Sequence, residues 1–203
     1  MRQRILSSFA VILAVLGILL FSQGLWIRAK AVLAQVLLEQ AFSETVATGI
    51  PVKPWRWADT WPVARISVPR LRASTIALAG GSGQALAFGP GHLDRSAEPG
   101  EPGTAVYVAH RDTHFAFLGE LRKGDEIRVA RADGLVFSYW VTSSEIVSWD
   151  RPNIDLHAEG PNLALATCWP LDGKVRGPQR LVVYANMHPL PIAPGLLSVS
   201  ARD

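Results

Sequence analysis

Three residue types in this chain could together carry out acyl transfer. Cys168 is the single cysteine, His110 lies 58 positions before it and Arg180 lies 12 after. A thiolate can attack a carbonyl carbon, an imidazolium can protonate a departing amine, and a guanidinium can hold the oxygen on which negative charge develops. At ordinary pKa values of about 8.5 and 6.5, only about 1% of molecules near pH 7.5 carry thiolate and imidazolium together. Pairing the two groups, or setting Arg180 beside the sulfur, raises that fraction. Arg176 is the rival cation, but it sits in a Gly/Pro-containing loop, whereas Arg180 opens an apolar run.

Each of the three also has a plainer reading. A free cysteine is often just a small buried hydrophobe. Context separates the readings: Leu165-Ala166-Thr167-Cys168 is an apolar strand that Pro170 stops, which puts the sulfur at a rim. His110 follows the strand-like Val106-Tyr107-Val108-Ala109, and Arg180 precedes Leu181–Ala185. All three stand at strand ends, so only folding brings them together. His110 and His114 have an HxxxH spacing that His92 and Cys168 could complete as a zinc set. The residues before His110 read as strand rather than helix, so no metal or other cofactor is expected. His92 and His114 are read as loop-stabilising or site-flanking, and His157 and His188 as surface residues. Asp112 could orient an imidazole, but an Asp just past a strand more often forms a turn. Thr167 could offer its hydroxyl or backbone to a substrate, or be a structural β-branched residue. Ala109, next to His110, is the other residue placed beside a substrate.

The elements that position these residues begin with an apolar run. Ile5 to Ile27 contains 23 residues without a charge. As a helix they span about 35 Å, enough for a hydrocarbon layer of about 30 Å. Arg2 and Arg4 could head a cleaved leader, but the apolar region of such leaders is about 7–15 residues long, so an uncleaved anchor is expected. Arg2 and Arg4 on one side nearly balance Arg28 and Lys30 on the other, which leaves the orientation open. Ala31–Phe42 continues at helical spacing as an amphipathic stalk, ended by Gly49 and Pro51. Trp55, Trp57 and Trp61 then either cover the side of the domain or rest at the membrane interface.

From Val63 the pattern turns to short β runs: 63–68, 76–78, 104–109, 126–130, 135–147, 163–167 and 181–185. Seven or eight strands with little helix predict an all-β closed or nearly closed barrel with short helices. Asp133-Gly134 marks a hairpin, and Phe115–Leu121 a short helical turn. Leu86–Gly103 and Asp150–Pro161 read as long loops. The expected organisation is an anchor over 1–30, a stalk and Trp/Pro connector over 31–62, the barrel over 63–188 and a tail over 189–203. A net charge of +3 with scattered cations and no basic run argues against nucleic acid.

His110-Arg111-Asp112-Thr113-His114-Phe115, Leu165-Ala166-Thr167-Cys168 and Arg180 before a last strand resemble, in order and spacing, the sortases, a family of cell-surface cysteine transpeptidases. Gly89-Pro90-Gly91-His92 and Pro99-Gly100-Glu101-Pro102-Gly103 add to the likeness. The Trp26–Gln35 stalk and Trp-rich connector look like the Gram-negative, class D-like subgroup. The resemblance implies an eight-stranded barrel and a single-pass inner-membrane protein with its catalytic domain in the periplasm. It also implies Cys168 as nucleophile, His110 as proton partner and Arg180 as oxyanion clamp. The substrate would be a protein with a C-terminal LPxTG-like sorting signal, cleaved through a thioester that an amine acceptor resolves; water as acceptor would make the protein a hydrolase. Asp150–Pro161 falls where the family grips that signal. Ala109 stands where many members have Gly, and Ala166 takes the variable position of the cysteine motif. The Ser-x-Gly-Cys signature of L,D-transpeptidases is absent. A membrane-tethered, non-catalytic β module with a His/Cys metal site is the reading of a different class.

Overall fold

The computed structural model describes residues 2–173 and 177–187. A long helix, α1 (Arg2–Thr48), leads into strands β1 (Pro62–Val68) and β2 (Ala73–Ala79), a short helix α2 (Gly83–Phe88), and strands β3 (Gly91–His92) and β4 (Gly103–Ala109). After a 3-10 turn (Ala116–Glu120) come β5 (Glu126–Arg131), β6 (Val136–Ser148), β7 (Pro161–Cys168) and β8 (Gln179–Asn186). The strands close into a barrel in the order β1-β2-β3-β4-β7-β8-β6-β5. β4 and β7 are parallel, and β7 and β8 antiparallel.

Alternation along the strands divides inside from outside. Ala105, Tyr107 and Ala109 of β4, Leu163 and Leu165 of β7, and Leu181, Val183 and Ala185 of β8 enter the barrel core with Ile66, Val129 and Tyr139. The intervening Val106, Ala164, Ala166 and Val182 form a second apolar cluster on the outer face, covered by Leu93, Ile154 and Leu156. Asp133-Gly134 does turn β5 into β6, with Gly134 at φ +85°.

The loop read over Leu86–Gly103 is shorter than the sequence implies. Ser82 caps α2 by accepting a hydrogen bond from the Ala85 N–H, 3.3 Å away. β3 is only two residues long and exists through its neighbours, parallel to Leu78–Ala79 and antiparallel to Tyr107–Val108. Of the three connector indoles, Trp55 alone packs edge-on against Phe88, at 4.9 Å between ring centres, whereas Trp57 is 83% exposed. The proposed tail, His188 and Arg176 lie outside the described residues.

Helix α1 has two halves of different character. Every residue from Leu13 to Leu33 is exposed, most of them apolar, and over Leu13–Thr48 the helix is long and apolar enough to cross a membrane. Beyond it Ala34, Leu38, Ala41, Phe42 and Thr45 are buried, with Leu38 and Phe42 packed on Ile76 and Leu78. Gln35 donates from Nε2 to the Phe88 carbonyl at 2.8 Å, Glu39 pairs with Arg65, and Val46 lies against Gly134. This half of the helix therefore packs on the outside of the barrel.

Candidate active site

The position of the site follows from strand register. β4 and β7 run parallel with Ala109 opposite Thr167, so His110 and Cys168 occupy the next step of adjoining strands, which run about 4.8 Å apart. Thr167 Oγ1 donates to the Ala109 carbonyl at 2.8 Å and welds the two strand ends together. Cys168 is also the register partner of Arg180 on the other side. Since Ala166 and Val182 face outward, the two-residue period puts Cys168 and Arg180 on that same outer face.

His110, Arg111, Asp112, Cys168, Gly173, Gly177 and Arg180 line one cleft of about 470 Å³. His110 is exposed and Cys168 half-buried, so both can meet a solute. His110 stays at the rim because its carbonyl accepts from the Phe115 N–H at 3.1 Å and Phe115 is fully buried in the core. Burying a phenylalanine side chain stabilises by roughly 2–3 kcal/mol, which anchors the far end of the turn that carries the imidazole. Arg180 donates from Nη1 to the Gln179 and Gly177 carbonyls at 2.8 and 3.3 Å. A guanidinium carries five N–H donors, so these bonds orient the fork without using it up.

Arg111 has a role that the sequence reading left unassigned. Its Nη1 donates to the Pro170 carbonyl at 2.6 Å and its Nη2 to the Gly173 carbonyl at 3.2 Å. It ties the turn after β4 to the loop after β7, the two segments that flank the cleft. Asp112 lines the cleft and is exposed. Thr167 and Ala109 are buried beneath it, and the Thr167 hydroxyl is committed to the interstrand bond.

The other histidines lie elsewhere. His92 is buried, with Nε2 3.0 Å from the Ala97 carbonyl and 3.1 Å from Ser96 Oγ, and its ring tilts onto Tyr107. His114 faces a separate cavity, 3.4 Å from Thr75 Oγ1. Burial, and secondarily the charge of His110, holds its pKa below the usual imidazole value. Among the described residues no three His, Cys, Asp or Glu side chains gather as a metal-binding group.

A sortase-domain family model matches residues 66–188, which contain the whole cleft. The chain belongs to the sortase family. Sortase D of Bacillus subtilis (strain 168) is 34% identical over 122 residues, 60% of this chain and 61% of that relative, so the chain spans about three fifths of its length. The sortase C-1 structure from Actinomyces oris superposes with a TM-score of 0.56 at 29% identity, over 64% of this chain and 76% of the other. A sortase D5 transpeptidase from Clostridium perfringens shares the fold, with a TM-score of 0.59 at 21% identity over 76% and 96%. In this member of the family the second half of α1 packs on the outside of the closed barrel.

Proposed function

We propose that this sortase-family protein is a cysteine transpeptidase held in the inner membrane by the first part of α1, with its barrel in the periplasm. One observation carries the reading: a thiol, an imidazole and a guanidinium, from three different strand ends, line a single solvent-open cleft. The outer apolar face of β4, β7 and β8 runs up to that cleft. Packed under Leu93, Ile154 and Leu156, that face braces the strand ends that carry the three groups.

In the proposed reaction the Cys168 thiolate attacks the carbonyl of the threonine in an LPxTG-like sorting signal. The carbon–sulfur bond forms, and Arg180 holds the oxyanion. Collapse breaks the carbon–nitrogen bond, His110 gives its proton to the leaving amine, and a thioester remains on Cys168. An acceptor amine loses a proton to His110 and attacks the thioester, and the thiolate departs. Ala109 and Thr167 act from below, presenting main chain beside the two reacting groups, and Asp150–Pro161 flanks the peptide.

The test is mass spectrometry of the protein incubated with LPxTG-like peptides and amines, beside a Cys168→Ala control. A thioester adduct and amine-dependent product are expected from the wild type alone. If no peptide of a broad panel is cleaved, or the alanine variant is equally active, the reading is wrong.

A further inference from the structure

The packing of α1 decides which end of the barrel faces the membrane. Ala31, Val32 and Gln35, the first stalk residues past the apolar run, share a cavity of about 810 Å³ with Arg72, Thr75 and His114. Eleven residues further along, Val46 meets Gly134 at the β5–β6 turn. The end that carries Arg72 and the His110–Phe115 turn is therefore nearest the bilayer, and the β5–β6 turn is farthest. At 1.5 Å per residue, Gln35 stands only about 12 Å beyond Ile27. The mouth of the cavity, at Ala31 and Val32, then lies at headgroup height, since headgroups add several ångströms to each side of the hydrocarbon.

An independent observation points the same way. Arg28 and Lys30 on α1, Arg72 in the cavity, and Arg122 and Lys123 in the turn before β5 all lie at this end. Among the described residues none of the five is in an ion pair. The turn of Arg122 and Lys123 is fixed there by Arg70, which bonds both the Asp125 carboxylate and the Glu120 carbonyl. Of the acids of this region, Asp125 is bound by Arg70 and Glu120 acts on the charge of Arg70, while Asp112 stays exposed at the cleft. The far end carries Glu98, Glu101, Asp133, Asp155 and Glu159, with Arg131 paired to Glu101 and Asp133.

We propose that the membrane-facing end of the barrel is a binding surface for anionic phospholipid, with Arg72 in the cavity holding a headgroup phosphate. Bound lipid would touch Thr113 and His114, on the back of the turn that carries His110. The inference rests on the membrane-anchor reading and not on the proposed catalysis.

The full chain is placed in nanodiscs of pure phosphatidylcholine or of phosphatidylcholine with phosphatidylglycerol, and amide hydrogen exchange is followed. Exchange at residues 70–75 and 113–123 is expected to slow in the anionic discs. That protection falls by about fivefold for each cation removed in Arg72→Gln, Arg122→Gln and Lys123→Gln, and vanishes in high salt. Glu98→Gln and Glu101→Gln leave it unchanged, and exchange in β4 and β7 reports that every variant is folded. Equal exchange in the two discs overturns the lipid surface while leaving the anchor and the transpeptidase reading intact. A chain that enters neither disc overturns the anchor reading, and this inference with it.

Discussion

Cys168 and Arg180 are register partners on the last rung of the β7–β8 ladder. Cross-strand partners have Cβ atoms about 4.5–5.5 Å apart, so the sheet itself roots the Arg180 side chain beside Cys168. The bonds of that side chain to the Gln179 and Gly177 carbonyls then turn the fork.

Arg180→Ala is expected to lower kcat by about 10²–10³, the usual cost of removing one oxyanion donor, with KM little changed. Arg180→Lys keeps the charge, loses the fork, and recovers only part of the rate. Steady-state kinetics on a cleavable peptide decides it; an alanine variant with wild-type kcat would remove Arg180 from the chemistry.

Thr167→Val keeps the β-branched shape and deletes the 2.8 Å bond to the Ala109 carbonyl. A net loss of about 1 kcal/mol in stability is expected, read by denaturant midpoint. Because His110 and Cys168 directly follow the bonded pair, kcat per folded molecule falls as well. Unchanged kcat would show that sheet register alone holds the two groups.

Arg111→Ala frees the Pro170 and Gly173 carbonyls. Hydrogen exchange in residues 169–173 should accelerate and KM for the peptide should rise several-fold, while Arg111→Lys restores neither because it cannot reach both carbonyls at once. An alanine variant with native exchange in this loop would show that the strap is not what orders it.

The depressed pKa of His114 gives a pH dependence with a definite sign. Below about 6.5 the unfolded chain takes up a proton that the native chain, burying this ring beside His110, resists. The contribution is full above that pH and declines as pH falls through it, levelling off once the folded pKa is passed. The stability advantage of wild type over His114→Gln, measured as a difference in Tm, should therefore shrink on acidification. A difference that is flat across this range would contradict the assignment.

Much of this was legible in the chain because strands announce themselves by alternation and interruption. The seven runs read from sequence lie inside seven of the strands to within a few residues, since Gly, Pro and Asp end them chemically. β3 was not legible: Gly91 and His92 have no strand pattern of their own and are strand only because Leu78 and Val108 flank them. The rim positions of Cys168, His110 and Arg180 could be read from where apolar runs stop, yet nothing in the spacing said that these rims adjoin. That came from parallel pairing of β4 with β7, a non-local fact. Arg111 gave no signal because an arginine strap and a solvated arginine look the same in sequence. The apolar stripe of the stalk was visible, but its partners, Ile76 and Leu78, were not.

The buried half of α1 sets a practical limit on how this protein can be made water-soluble. A fragment beginning after Gly49 would strip Leu38 and Phe42 from Ile76 and Leu78 and leave sticky strand surface in water. It would also remove the Gln35 and Glu39 bonds to the barrel. A well-behaved soluble version should start near Ala31, keeping the helix that covers the sheet and discarding only the greasy segment before it.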